Sequence, residues 1–477
     1  MSIKHSKYPI QITYDLTNYC NANCIHCYSS SREIGTFDSE RAIVDRVIRE
    51  LNSVKPLMLI VSGGEPLLSP YFGYFIRSLL DNLGPRFPVT VITSNSTGVL
   101  AEQSYLSLLS NINEKFFGTI TIYFSVHHSD AKMQEYIMGF RGIRDRLLSA
   151  VELVRRFGLP FTVGMTPMKI NFDNRDELLK FAIELGASGF NLSEFVPTGK
   201  GFHSMSLDLD KEQYKVMKFW VKQKEHELGI PGFISHHPHY TIVTRPDLWF
   251  NDLYVGCTAG IYDLGIRSNG DITPCPLMSY KLGNIMEESI IHIWNNHPLL
   301  IKFRNREVEG KCNDCPVRDK CGGCRCLAYA YTGNPIAGDP KCPYNIEDFN
   351  GFFNMVGQYR ETSFRMFIEY NNLINKLVDR IAERRHNTYL YLLPNPYNEF
   401  TNSEIIILNR ITRNYITLEG NVSNLFLMLY NMEILDENKA LSISDICSIY
   451  NDKFGSILSY RDLAELIGSL LAIIYEQ

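Results

Sequence analysis

Cys20-Asn21-Ala22-Asn23-Cys24-Ile25-His26-Cys27-Tyr28 puts three thiols on one short loop at CxxxCxxC spacing. Iron–sulfur clusters are usually held by four cysteine thiolates. Three leave one iron with an open position, where chemistry can begin. The competing readings are a zinc knuckle and chance clustering. Zinc takes four ligands, commonly as two paired motifs. His26 as the fourth would lie between two ligands and strain the loop. The spacing therefore favours an iron–sulfur site.

Outward from that loop, β-branched apolar runs alternate with helical stretches. Strands are expected at Ile10–Leu16, Leu57–Ser62, Val89–Ser94, Thr119–Ser125, Phe161–Met165 and Gly189–Phe195. Continuous apolar runs suit parallel strands buried on both faces. The clearest helix is Ser39–Val54, with Asp38 or Ser39 as its cap and Ile43, Val44, Val47, Ile48 and Leu51 on one face. The fold class is thus α/β, a partial (β/α)6 barrel, in which ligands sit at the carboxyl ends of the strands. The chemistry-bearing segments fall at those ends. The cysteine loop follows strand one, and Ser62-Gly63-Gly64-Glu65-Pro66 follows strand two. Ser94-Asn95, then Ser125-Val126-His127-His128, close strands three and four. Val196 to Gly201 closes strand six.

The remaining cysteines deepen the metal reading. Of twelve, eight more lie between Cys257 and Cys342, and Cys447 stands alone in a helical pattern, as a buried structural thiol would. A 477-residue chain whose first residues lack an apolar signal core is not a secreted disulfide scaffold. Its net charge of −5 argues against a polyanionic partner. No apolar run is long enough to span a bilayer, so no membrane partner and a cytoplasmic location are expected. Residues 248–345 are rich in Cys, Gly, Pro and Asn with little periodicity, so metal coordination is expected to supply their folding energy in place of an apolar core. After a helical stretch at 347–385, strands are expected at Tyr389–Leu393, Glu404–Leu408 and Tyr415–Leu418, followed by helices. The expected domains are 1–235, 236–346, a helical linker 347–386, and a winged-helix-like α+β domain 387–477.

CxxxCxxC followed by an aromatic residue, then Gly63-Gly64-Glu65-Pro66 after the next strand, resembles the radical S-adenosylmethionine (SAM) superfamily over roughly residues 10–200. The resemblance implies that Cys20, Cys24 and Cys27 hold a [4Fe–4S] cluster whose open iron chelates SAM. Reductive cleavage of SAM would then give a 5′-deoxyadenosyl radical. It implies cofactor contacts from Gly63, Gly64, Glu65, Asn95 and Ser125, with Ser94 and one of the two histidines as further candidates. An electron donor such as flavodoxin or ferredoxin follows. The second cysteine group resembles the SPASM extension, which implies two auxiliary iron–sulfur clusters. Cys257, Cys275, Cys324 and Cys326 would hold the nearer one, and Cys312, Cys315, Cys321 and Cys342 the farther. Only Gly322 and Gly323 separate Cys321 from Cys324, one residue fewer than in many relatives, and Thr258–Asp263 lacks a further cysteine. The nearer cluster is therefore left open between [4Fe–4S] and [2Fe–2S].

Gly322-Gly323-Cys324-Arg325-Cys326 is similar to the peptide-modifying enzymes of pyrroloquinoline quinone biosynthesis, and enzymes of alternative haem synthesis have related segments. Residues 388–477 resemble small winged-helix domains that bind a leader peptide as an added strand. Residues 386–477 carry five Lys/Arg against eleven Asp/Glu, which disfavours nucleic acid there. The expected function is modification of a ribosomally made precursor peptide, begun by hydrogen abstraction at a Cα or side-chain carbon. The alternatives are tetrapyrrole processing in haem synthesis, a sulfatase-type formylglycine maturase, and a non-catalytic electron-transfer protein. The last has no need of Gly63-Gly64-Glu65-Pro66.

Overall fold

The computed structural model describes residues 7–31, 40–84, 87–116, 119–228, 234–236, 241–244 and 255–349, and further on 391–394, 405–408 and 415–418. The chain divides into two compact units, Met1–Phe353 and Asn354–Gln477.

The first unit is built on one ten-stranded sheet. Strands β1 (Gln11–Thr17), β2 (Met58–Gly63), β3 (Val89–Ser94), β4 (Ile120–Ser125), β5 (Phe161–Met165) and β6 (Phe190–Leu192) lie side by side in that order, all parallel. They occupy the six expected segments. β5 is buried along its whole length, as its apolar run requires. A seventh parallel strand, β7 (Ile234–His236), extends the sheet beyond β6.

Helices cover the outer face. Arg41–Val54 packs Val44, Val47, Ile48, Leu51 and Val54 inward at helical spacing. Its cap position is Glu40, which makes no side-chain capping bond. The expected caps, Asp38 and Ser39, lie outside the described residues.

The segment from 255 to 349 departs from expectation. It carries β8 (Asp263–Ile266), β9 (Asp271–Thr273) and β10 (Gly283–Asn284). β8 pairs in parallel with β1, so these strands prolong the barrel sheet at its other edge. Leu264, Ile266, Ile272, Trp294, Leu300 and Phe303 join the same continuous core as the barrel. The segment thus does contribute apolar core. Its apolar residues come in short pieces that pack on β1 and on the barrel's helices, a pattern that shows no period of its own.

In the second unit, β11 (Tyr391–Pro394), β12 (Ile405–Leu408) and β13 (Tyr415–Leu418) form an antiparallel sheet in that order. The helices expected at 347–385 and after residue 420, and Cys447, fall outside the described residues, apart from a short 3-10 turn at Ile346–Phe349. No helix among the described residues is long and apolar enough to cross a membrane.

Candidate active site

The cysteine loop leaves the carboxyl end of β1 and is clasped from two sides. Gly64 N donates to Thr17 O at 2.8 Å and Glu65 N to Tyr19 O at 2.8 Å. The two glycines are needed for this contact. Gly63 has φ +117°, and a Cβ on Gly64 would lie 2.0 Å from Tyr19 O. The side of Gly63 and Gly64 that a Cβ would occupy is taken up by the backbone of Asp15, Thr17 and Tyr19. On the other side, Lys200 N donates to Cys27 O at 2.9 Å, and its buried ammonium bonds Asn23 Oδ1. Ser204 Oγ donates to Ile25 O at 2.8 Å.

Glu65 is fully buried and works inside the fold. Its Oε2 accepts from Asn95 N at 2.6 Å, which ties the end of β2 to the end of β3. Burial raises its pKa from 4.5 to about 7. Asn95 reaches back to the cysteine loop, its Nδ2 lying 3.6 Å from Cys20 Sγ and 3.0 Å from Asn21 Oδ1. Ser94 Oγ accepts from Ser96 N at 3.0 Å, a local turn bond. Ser125 is half-buried at the end of β4. Glu65 and Asn95 thus order the cysteine loop from the neighbouring strands.

The three loop thiols are mutually close. Burial, and then the Glu65 carboxyl, push Cys20 up to about 12, with Cys27 adding to the rise. Burial, Cys27 and Cys20 together hold Cys24 well above the ordinary thiol range, and Lys200 opposes them. Cys20 and Cys24, both held up in this way, need a cation to become thiolates together.

The two histidines after β4 take different places. His127 is buried, its Nδ1 accepting from Thr166 N at 3.1 Å, and its ring meets the edge of His26 at 4.3 Å between centroids. Burial lowers both, His26 to about 4. His26 is therefore packed against a ring from the loop after β4. His128 is half-buried and accepts from Asp130 N at 2.9 Å.

The downstream cysteines gather in two sets. Cys326 is hydrogen-bonded to Cys275 and Cys324, and with burial these contacts hold its thiol far up. Burial and then Cys324 raise Cys257. In the second set, burial raises Cys315, with Cys321 and Cys312 adding to it. Burial also raises Cys342, beside Cys321. Asp339 ties the sets together, its N donating to Cys312 Sγ at 3.3 Å and its Oδ2 accepting from Cys324 N at 2.6 Å. None of the eleven described cysteines is in a disulfide. Among the described residues no three His, Cys, Asp or Glu side chains converge on a single-ion site.

The profile of the Radical SAM superfamily matches residues 14–182, and that of SPASM, an iron–sulfur cluster-binding domain, matches residues 257–316. The chain carries a Radical SAM domain and a SPASM domain. It is similar to the AdoMet-dependent heme synthase of Methanosarcina barkeri, 29% identical over 354 residues that cover 70% of this chain and 97% of that protein. It is also similar to the PqqA peptide cyclase of Granulibacter bethesdensis, 25% identical over 70% of this chain and 87% of that protein. Among solved structures, Streptococcus suis SuiB bound to the precursor peptide SuiA matches with a TM-score of 0.58 and 20% identity, over 71% of this chain and 76% of that one.

The cofactors of this radical SAM enzyme are a [4Fe–4S] cluster and SAM, with further iron–sulfur binding in the SPASM domain. The donors present fit them: three adjacent thiols at the carboxyl end of β1 and eight more free cysteines downstream. Sequence reasoning missed several polar residues inside the barrel. Asp15 on β1 is buried and accepts from Tyr28. Tyr123 on β4 lies across Gly164, where any Cβ would collide with its ring, and its hydroxyl is 3.1 Å from Ser193 Oγ. The signal was present for Asp15, a charge in the middle of a strand read as buried on both faces.

Proposed function

We propose that this radical SAM enzyme modifies a ribosomally synthesised precursor peptide by hydrogen abstraction at a Cα or side-chain carbon, with cross-linking as one outcome. The observation that carries this reading is the second unit. The heme synthase of M. barkeri is aligned over nearly its whole length, yet it leaves uncovered a share of this chain about as large as residues 354–477. The described part of that unit is an antiparallel sheet, whose edge suits a leader segment bound as an added strand. The peptide cyclase and the peptide-bound SuiB support the same substrate class.

In this reading Cys20, Cys24 and Cys27 hold the first cluster. Gly63, Gly64, Glu65, Asn95 and Ser125 form its surroundings, with Glu65 and Asn95 acting through the loop they order. Cys257, Cys275, Cys324 and Cys326 hold one auxiliary cluster, and Cys312, Cys315, Cys321 and Cys342 the other. When bound, the cluster and SAM supply an electron and a 5′-deoxyadenosyl radical. The barrel's Tyr123, Ser193 and Asn191 give the peptide hydrogen-bonding partners. A flavodoxin or ferredoxin donates electrons, and the cytoplasm, where thiols stay reduced, is the compartment.

The similarity to heme synthases favours a second reading, tetrapyrrole processing. Anaerobic reconstitution tests both. The wild type should form 5′-deoxyadenosine under reduction, and Cys24→Ala should form none. Co-expression with a short peptide encoded beside this chain should change that peptide's mass. Unchanged peptide together with conversion of a tetrapyrrole would establish the second reading.

A further inference from the structure

Arg267 belongs by sequence to the SPASM segment, directly after β8 and just before the turn that leads into β9, yet its guanidinium reaches the barrel. Nη1 donates to Asp15 Oδ2 on β1 at 2.8 Å, and Nη2 to Met278 O at 3.4 Å. The other Asp15 oxygen accepts from Tyr28 OH at 3.1 Å. The guanidinium also lies 5.3 Å over the Tyr28 ring, within cation–π range. Tyr28 OH is 3.4 Å from Ser62 Oγ, which accepts from Thr93 Oγ1 at 3.2 Å. One chain of side chains therefore joins the SPASM segment, the residue after Cys27, and strands β1, β2 and β3.

Stability alone does not account for this arrangement. Asp15 is only 4% exposed, and a buried ion pair brings little net stability over apolar packing of the same volume. What the pair does provide is a fixed ring and a fixed charge beside the cysteine loop. The charged and titratable neighbours facing the guanidinium are Asp15, Tyr28 and the auxiliary thiol Cys275. The cation thus stands between the cysteine loop at residues 20–27 and Cys275.

We infer that Arg267 is a positioning residue for the first cysteine loop: held by Asp15, it fixes Tyr28 beside Cys27 and sets the charge on that side of the loop. The SPASM segment thereby conditions the place where the radical reaction begins. This rests on the reading that Cys20, Cys24 and Cys27 hold a reducible cluster. Hydrogen bonds and net charge around a cluster tune its potential, so the pair acts through electrostatics as well as shape.

The test is EPR-monitored redox titration of the reconstituted full chain, with and without SAM, since the SAM-responsive part of the spectrum reports the first cluster. Asp15→Asn leaves the cation unopposed and should move that midpoint to more positive potential. Arg267→Gln leaves the carboxylate unopposed and should move it to more negative potential. Arg267→Lys keeps the charge without the fork and should return the midpoint close to wild type, with an altered line shape. Should Arg267→Gln lose iron, Asp15→Asn and Arg267→Lys carry the test with the same signs. An unmoved midpoint, or a shift of the same sign in Asp15→Asn and Arg267→Gln, overturns the inference. A wild type with no SAM-responsive signal would instead overturn the cluster reading, and this inference with it.

Discussion

Among the described residues no charged group offsets the burial of Glu65, so it stores a pH dependence in the fold. Its pKa rises from 4.5 to about 7, and burial is the main cause. An acid with a raised folded pKa binds its proton more tightly in the native state than in the unfolded one. The native state therefore loses stability as pH climbs from about 4.5 to about 7, by roughly 3 kcal/mol at one unit per 1.36 kcal/mol. Glu65→Gln removes the charge and keeps an oxygen to accept from Asn95 N. The melting temperature of the variant should thus draw ahead of wild type as pH rises through that window, and level off above it. Parallel melting curves at every pH would refute the assignment. The sequence pointed to Glu65 through its Gly-Gly-Glu-Pro context, but not to its partner. A backbone amide on the next strand leaves no trace in residue type, so the inward role of Glu65 was visible only in three dimensions.

The elements that join barrel and SPASM segment use a carboxylate in the same economical way. Glu50, near the end of the helix Arg41–Val54, is buried and paired with Arg46 at 2.9 Å. Its Oε2 accepts at 2.9 Å from Ile290 N, the first residue of the helix Ile290–Asn296. First-turn amides have no partner within their own helix, and the helix dipole favours an anion there. Arg46 Nε meanwhile donates to Ile285 O at 2.9 Å. Glu50→Ala strips one side of a buried pair and orphans an amide. It should cost roughly 2–4 kcal/mol in urea unfolding. Ser289→Ala, which removes only the local cap on His292 N, should cost about 1 kcal/mol. Equal costs would mean that Glu50 is not the joint. Elements of this kind set the limit of sequence reading. The six barrel strands were legible because most are largely apolar runs, of which β5 is buried along its whole length. β8, β9 and β10 are four, three and two residues long. The partner of β8, β1, lies some 250 residues upstream, beyond the reach of any local pattern.

At the scale of the whole molecule, the peptide reading assigns chemistry and selection of substrate to different units. All eleven described cysteines, Glu65, Asn95 and the polar barrel interior lie in residues 1–353. The heme synthase of M. barkeri is aligned over 97% of its own length with 70% of this chain. The unit from 354 to 477 contributes an antiparallel sheet and a surplus of acidic residues, with no cysteine except Cys447. Under the peptide reading, its work is to bind the leader and so raise the effective concentration of the core peptide at the barrel mouth. A chain ending at residue 353 should then keep its iron and still form 5′-deoxyadenosine under reduction. It should lose leader-peptide binding by fluorescence anisotropy, and with it most peptide conversion at low peptide concentration. Raising the peptide concentration should recover part of that conversion, because tethering changes encounter and not the bond-making step. A shortened chain that binds leader peptide as tightly as the full one would move recognition into the barrel and remove the second unit from the function.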